Sequence, residues 1–302
     1  MFVRKTAIIF CLIILMTTIT KADEFQFEYQ KILSVKSGIK LELEIPRGII
    51  EVIPSNNNKL IVEAVKTVRA SNRNEAEEVA DHIEIKVDQD GDNVNISTNF
   101  LKMLNRSSSF WKKFIGVGED SYGDVNFKIA VPHRCDLVFN TMTGKIFISD
   151  HDGAVDITSG TLEDLKIEYN RGPISINCEN AEIDLQWVEG DIKVKSQMGK
   201  IDIKQLTGSI NIKTSSSSVN IETEMSTDKN YFVETTSGTI YFSVPVFAAG
   251  YLEIETKAGE IKSDVPVSIK SIDNNRMEGE FGGGGTKVSL TSLTGDVEVS
   301  QY

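Results

Sequence analysis

The sequence is poor in the residues that most often carry chemistry. Its 302 residues include three cysteines and three histidines, His82, His133 and His151. It has no Ser-His-Asp spacing typical of a nucleophilic triad, no glycine-rich phosphate-binding loop and no Cys-x-x-Cys pair. These absences argue against acyl-transfer, nucleotide-dependent and redox chemistry, so we expect neither an enzymatic activity nor a cofactor.

Basic residues are fewer than acidic ones. The chain has 32 Lys and Arg against 44 Asp and Glu, which gives a formal net charge of −12 at pH 7. An acidic surface repels nucleic acid and anionic lipid headgroups. The partner classes that remain are basic proteins, contacts bridged by cations, and neutral ligands such as glycans.

Long apolar runs are absent except at the start of the chain. Arg4 and Lys5 precede an apolar run from Ala7 to Ile19, and Thr20-Lys21-Ala22 follows it. Because a membrane-spanning helix needs about 20 apolar residues, we predict a secretory signal peptide over residues 1–22, with an uncleaved anchor as the alternative. No transmembrane segment is expected after its removal, which predicts an exported protein of the periplasm or the cell surface.

What the sequence has in abundance is a nine-residue repeat. From Gly190 to Ile212 it runs GDIKVKSQM GKIDIKQLT GSINI, with an aliphatic residue two and four positions after each glycine. The same pattern gives units that begin at 135, 144, 153, 163, 172, 181, 190, 199, 208 and 217, nine residues apart except for one step of ten between 153 and 163. The third and fifth residues of all these units are apolar: Leu137/Phe139, Ile146/Ile148, Val155/Ile157, Leu165/Ile167, Ile174/Ile176, Ile183/Leu185, Ile192/Val194, Ile201/Ile203, Ile210/Ile212 and Val219/Ile221.

Each unit predicts a short half-buried strand and a turn, because apolar and polar residues alternate before a closing Gly, Ser, Thr or Asn. Self-similarity at a fixed period is typical of a solenoid. We therefore predict an all-β solenoid of roughly nine-residue G-x-I-x-I strand-turn units over residues 135–302. Glycine at the first position suits a corner with positive φ or a close approach between coils. Two units per coil are favoured over three, since they would place Lys145 beside Asp164 and Glu182 beside Lys200.

The repeat phase also bears on the cysteines that follow the predicted signal peptide. Cys135 takes the glycine position of its unit, and Cys178 takes the seventh position of another unit. These positions fall at opposite ends of a strand. A disulfide between them is therefore disfavoured, although export would permit one.

Residues 23–134 are strand-rich but less regular, and from residue 38 onward we expect them to form one domain with the repeats. Residues 74–82 predict a short helix, with Asn72 or Asn74 as its N-cap and acidic residues in its first turn. Because the open end of a solenoid needs covering, we expect this helix to cover one end of the aliphatic column.

An insertion over residues 100–124 interrupts the strand pattern with the sequence FLKMLNRSSSFWKKFIGVGEDSYGD. One interpretation is a flap folded over the end of the column. The other is a contact surface for a partner or for the envelope, because aromatic side chains next to basic ones are typical of such surfaces. The candidate contact residues are Phe110, Trp111, Lys112, Lys113 and Phe114.

Two further patterns suggest chemistry without requiring it. Asp150, His151 and Asp152 cluster at a turn and are weak candidates for a metal site, although solvated turns favour the same residues. Outward-facing Asp184 and Asp202 would be the acids of a polysaccharide-cleaving β-helix. Mixed charge on a solvated face also keeps a solenoid soluble, so neither pattern displaces the expectation of a non-enzymatic protein.

The succession of motifs resembles the DUF4097-like family of β-strand-repeat proteins, whose members are described as adhesins. The resemblance covers residues 38–302 and is carried by Gly48 with its following strand, Val131-Pro132, the Thr-Ser-Gly steps at 158–160 and 236–238, and the terminal SLTSLTGDVEV. It implies a right-handed β-helical fold and export to the envelope or surface. It implies no catalytic residues.

These observations predict an exported, non-enzymatic β-solenoid that acts as an adhesin-like binding or scaffold protein. Its expected partner is a protein or glycan of the envelope or the extracellular surface. Two alternatives stay open: a glycan-binding or polysaccharide-cleaving β-helix, and a structural or regulatory envelope protein. The sequence does not predict the oligomeric state.

Overall fold

The computed structural model describes residues 23–99 and 123–302, and these residues are almost entirely β-strand. The predicted signal peptide lies outside them. One short helix, α1, spans Arg73–His82. The strands are β1 Asp23–Ser34, β2 Ile39–Glu44, β3 Ile49–Pro54, β4 Lys59–Ala70, β5 Glu84–Asp90, β6 Asn93–Asn99, β7 Gly123–Val131, β8 Cys135–Asp152, β9 Val155–Arg171, β10 Ile174–Glu189, β11 Ile192–Thr207, β12 Ile210–Thr223, β13 Asn230–Thr235, β14 Ile240–Val244, β15 Gly250–Thr256, β16 Ile261–Ser263, β17 Ser268–Ile272, β18 Arg276–Phe281, β19 Thr286–Ser292 and β20 Val297–Gln301.

The middle of the molecule is a stack of coils, each formed by one long bent strand from β8 to β12. Neighbouring strands run parallel, and their register joins residues 18 or 19 positions apart, such as Ile174 with Ile192 and Val155 with Ile174. Lys145 faces Asp164, and Glu182 faces Lys200. These neighbours lie 19 and 18 residues apart in the sequence. Each coil therefore contributes one strand to each of two sheet faces.

Apolar side chains at the third and fifth positions fill the space between the two faces. Ile192, Ile201 and Ile210 are fully buried, and so are their counterparts in the neighbouring coils. Burying such side chains contributes about 25 cal/mol per Å² of apolar surface. A single coil cannot close this interior alone, so the stability of each coil depends on its neighbours.

Glycines form the corners because the backbones of successive coils touch there. Gly208 has φ +121°, and a Cβ on it would lie 2.2 Å from the carbonyl oxygen of Gly190 one coil away. Gly199 has φ +124°, and its Cβ would lie 1.9 Å from the carbonyl oxygen of Ala181. Two reasons are predicted for glycine at the corners, a positive φ and a close approach between coils. Both apply at Gly208 and at Gly199.

Small polar side chains line the inside of one corner. Ser159, Cys178, Ser196 and Thr214 are buried at equivalent positions of successive coils. Cys178 thus takes the place of a hydroxyl in this column. Cys178 and Cys135 are both free thiols. Burial raises the pKa of both, that of Cys135 to about 12.

At both ends of the stack, the spatial order of the strands differs from their order along the chain. At the carboxyl end β19 pairs with β13 on one side and with β15 on the other. β20 likewise lies between β14 and β16. The last strands of the chain are therefore interior to the stack, and antiparallel β18 and β17 close that end.

The amino-terminal end is built in the same way. β2 lies between β6 and β8, and β3 lies between β7 and β8. Antiparallel β5 covers one face there, while β4 and then β1 cover the other. The two sheets run without interruption from these strands into the repeats.

Helix α1 connects β4 to β5 across this end. Asn72 is its N-cap and accepts a hydrogen bond from the backbone N–H of Glu75 at 3.0 Å. Ala76, Val79 and Ala80 form its buried side, which contacts β4 and β1. The helix begins one residue before the predicted start, and its position agrees with the expected covering role.

Candidate binding surface

The described part of the chain contains some of the sequence-predicted site residues and not others. The candidate contact residues Phe110, Trp111, Lys112, Lys113 and Phe114 lie outside the described residues, so that prediction stands untested. The weak candidates for a metal site, Asp150, His151 and Asp152, lie within the described residues. They point in different directions from a single corner.

In that corner His151 points into the protein interior and is buried, whereas its two neighbours face solvent. Asp150 pairs with Arg171 through Oδ1 and Nη2 at 3.7 Å. Asp152 pairs with His133 through Oδ2 and Nε2 at 3.3 Å. Within residues 23–99 and 123–302, no group of three or more His, Cys, Asp or Glu is arranged to hold a metal ion.

The interior of the same corner is a second polar column. His151 lies beside Asn170 in the register, and Gln205 lies beside Thr223. Gln205 donates through Nε2 to the carbonyl oxygen of Gly190 at 2.8 Å and accepts from the hydroxyl of Thr223 at 3.1 Å. These bonds satisfy backbone carbonyl groups where the chain turns.

His151 is the titratable member of this column. Burial lowers its pKa from 6.5 to about 4, and a backbone hydrogen bond with Cys135 and the charges of Asp152 and Asp136 offset only part of that effect. Its Nε2 is buried without a hydrogen-bond partner among the described residues. The imidazole is therefore neutral at physiological pH and unsuited to act as a cationic contact.

The outer face of the second strand of each coil carries an open groove of about 350 Å³, which we call the acidic groove. It crosses β9, β10, β11 and β12. Five carboxylates and two lysines contribute to it, together with two amide side chains. Its polar lining residues are Asp164, Glu182, Asp184, Gln186, Lys200, Asp202, Lys204, Asn220 and Glu222.

Asp184 and Asp202, the acids considered for glycan cleavage, are direct neighbours in this groove because β10 and β11 pair there. Asp184 accepts a hydrogen bond from the Gln186 side chain at 2.6 Å. Asp202 forms an ion pair with Lys200 at 2.7 Å and accepts from the Asn220 amide at 3.2 Å. Both carboxylates are thus engaged with neighbouring side chains on an open face.

Beside the groove, one corner holds two exposed aromatic side chains in an unusual backbone conformation. Asp150, Tyr169 and Trp187 occupy the same position in three successive coils, with φ of 47°, 57° and 60°. Non-glycine residues rarely adopt positive φ, and bulky ones are outliers. Tyr169 is 55% exposed and Trp187 is 38% exposed.

The two rings lie nearly parallel, and we call this pair the aromatic corner. Their planes differ by 5° and their centroids are 6.5 Å apart. The ammonium group of Lys204 sits 4.2 Å from the centroid of the Trp187 ring. Lys204 also pairs with Glu222 in the acidic groove. The rings therefore border directly on the groove.

The sequence analysis missed the aromatic corner although the signal was present. Tyr169 and Trp187 are the seventh residues of units 163 and 181, and they lie 18 positions apart, as coil neighbours do. A search of each position in the repeat for large exposed side chains would have found them. The inward positions drew attention instead, because their periodicity is stronger.

Comparisons with known proteins place the chain in a family. The sequence profile described as Toastrack DUF4097 matches residues 39–300. The chain therefore belongs to the DUF4097 family, and its all-β architecture is a β-solenoid-like repeat, as predicted from the motifs. No curated protein matches this chain.

Similar solved structures have low sequence identity to this chain. A "putative cell adhesion protein" from Clostridium sporogenes is 12% identical, covering 92% of this chain and 100% of its own, with a TM-score of 0.27. A "putative adhesin" from Parabacteroides merdae is 9% identical, with 91% and 96% covered and a TM-score of 0.29. A "putative lipid binding protein" from Parabacteroides distasonis is 11% identical, with 91% and 96% covered and a TM-score of 0.27.

Proposed function

We propose that this protein is an exported, non-enzymatic binding protein of the cell envelope or cell surface. Its solenoid is a rigid support that presents one side to a partner, with an adhesin-like role. We further propose that the coils are right-handed and that each contains two nine-residue units. No helix among the described residues is long and apolar enough to cross a membrane.

The observation that carries the proposal is the aromatic corner. Tyr169 and Trp187 expose aromatic surface directly beside the acidic groove. Aromatic side chains are enriched where proteins bind partners, because a flat ring buries much area at little entropic cost. Lys204, whose ammonium group lies over the Trp187 ring, and Gln186 of the groove add hydrogen-bonding groups next to these rings.

A binding role fits the acidic groove better than catalysis does. A general acid and a base must differ in environment so that one carboxyl is protonated when the other is not. Asp184 and Asp202 both lie on an open face and are each held by donor side chains, Gln186 for Asp184 and Lys200 with Asn220 for Asp202. The arrangement supports recognition of polar groups on a partner.

Capture of a partner from envelope and surface fractions of the producing cells tests the proposal. We expect the purified full chain to retain a component of these fractions, and Trp187→Ala to lose it. Tyr251→Ala is the matched control, because Tyr251 is 45% exposed on β15, which does not line the groove. A Trp111→Ala arm tests the predicted contact in the insertion.

Retention in Trp187→Ala would show that the aromatic corner is not the contact. Failure of the wild-type chain to retain any component would contradict the binding role itself. Fractionation of the native protein checks the proposed export.

A further inference from the structure

The backbone conformation at the aromatic corner indicates that its rings are positioned for contact with a molecule outside the protein. Three coils turn there through a residue with positive φ, a conformation that suits Gly, Asn or Asp. Asp150 follows this preference. Tyr169 and Trp187 do not, and since both are exposed, filling the core does not explain them. Costly conformations of this kind cluster at ligand sites.

The geometry of the rings restricts the ligand to one with a flat face. Tyr169 and Trp187 lie within 5° of parallel on adjacent coils. Lys204 lies over the Trp187 ring, so the ring surface of Tyr169 and Trp187 that stays exposed is what can pack against a flat, weakly polar surface. Nucleobases and the C–H face of a pyranose sugar both have such a surface.

The negative charge of the acidic groove favours sugars over nucleobases as the ligand class. The acidic groove beside the rings holds five carboxylates and two lysines. Both lysines are already paired, Lys200 with Asp202 and Lys204 with Glu222. A polyanion such as a nucleic acid or a polyuronate meets net repulsion there. An uncharged sugar chain does not.

The groove also supplies the hydrogen bonds that sugar hydroxyl groups need. Carboxylate oxygens accept from hydroxyl groups, and amide groups both donate and accept. Asp184 and Gln186 are linked at 2.6 Å, and Asn220 reaches Asp202 at 3.2 Å, so paired donor and acceptor atoms are fixed in place. These groups follow one another across the coils and provide contacts for several sugar units in a row.

From these four observations we propose that the aromatic corner and the acidic groove form a binding site for an uncharged oligosaccharide of pyranose sugars. Tyr169 and Trp187 stack against C–H faces of the sugar rings. Asp184, Gln186 and Asn220 bind hydroxyl groups. This inference rests on the proposed binding function and specifies the ligand class of the same site.

Calorimetric titration of the full chain with cellohexaose and chitohexaose tests the inference, with oligogalacturonate as the anionic comparison. We expect binding of at least one uncharged probe and none of the anionic one. Trp187→Ala and Tyr169→Ala each weaken binding by about tenfold or more. Tyr251→Ala, whose exposed ring on β15 lies outside both the corner and the groove, leaves the affinity unchanged. Circular dichroism confirms that each variant is folded.

Three results would overturn the inference: no binding of either uncharged probe, binding that survives Trp187→Ala, or stronger binding of the anionic probe. If both sugars fail while capture from envelope fractions still depends on Trp187, the ligand class is wrong and the binding function stands. If that capture also fails, the proposed function is wrong as well.

Discussion

The side chains that point into the corner next to the aromatic pair differ from coil to coil. Two of them, Asn170 and Gln205, donate hydrogen bonds to backbone carbonyl oxygens. Asn170 donates to the carbonyl oxygen of Gly172 at 3.0 Å, and Gln205 reaches the carbonyl oxygen of Gly190. His151 fills the equivalent place in the coil of β8 but leaves its Nε2 without a partner among the described residues. The buried neutral imidazole is thus the titratable member of a column that also holds Asn170, Val188, Gln205 and Thr223.

Protonation of His151 is expected to destabilise the protein in mild acid. Its pKa is about 4 when folded and about 6.5 when unfolded, so the unfolded state binds the proton first. The stability contributed by the neutral ring is complete above pH 6.5 and is lost as the pH falls toward 4. Between pH 7 and pH 5 we expect a loss of about 2 kcal/mol in the free energy of unfolding.

Urea denaturation at these two pH values measures this loss. His151→Asn, which copies the residue of the next coil, should remove most of the difference. His133→Asn, the same substitution at an exposed histidine, is the control for the change of residue type. Equal pH dependence in wild type and His151→Asn would contradict the assignment.

At the scale of the element, the corner glycines decide how closely the strands stack. Parallel strands lie about 4.8 Å apart, and a side chain at the corner would separate them. Gly208 illustrates this, since its Cβ position is already occupied by the Gly190 carbonyl oxygen of the adjacent coil. The strand pattern alone does not supply this contact, because the two residues lie 18 positions apart.

Gly208→Ala is therefore expected to destabilise the protein by roughly 3 kcal/mol, since backbone strain adds to a clash that strand movement must relieve. Gly91→Ala is the matched control. Gly91 also has positive φ, +61°, but nothing lies within 4 Å of its Cβ position, so only strain of about 1 kcal/mol is expected. Thermal or urea unfolding compares the two. Similar losses would show that close packing at the corner does not matter.

At the scale of the whole molecule, the interior position of the last strands links distant parts of the chain. Leu290 of β19 is fully buried and pairs in register with Val233 of β13 and with Ile254 of β15. The coil formed by β19 and β20 must therefore insert between strands synthesised before it. Solenoid stability passes between neighbouring coils, so this coil couples its two neighbours.

Leu290→Asp tests that coupling, because it buries an unpaired charge between both neighbours. We expect hydrogen exchange to lose protection in β13 and β15 together, while β9 and β10 keep theirs. Ser289→Asp, on the outward side of the same strand, should leave all four protected. Loss confined to β15, or spread evenly over the chain, would contradict a local coupling role.

The sequence by itself determined the strand-turn repeat, the inward apolar positions, the glycine corners and the family. The reason is that nearest-neighbour stacking repeats the same local requirement every nine residues, so periodicity records it directly. Asn72 as a helix cap was also visible, since capping is a local interaction.

Only the tertiary structure decided the order of the terminal coils and the exposure of Tyr169 and Trp187. The insertion of β19 between β13 and β15 depends on pairing between residues more than 30 positions apart, which no local pattern encodes. The aromatic corner likewise arises from two residues whose rings meet because their coils stack. Outward-facing positions need not be apolar, so the repeat pattern does not predict which residues occupy them. Which of these side chains lie side by side depends on how the coils stack.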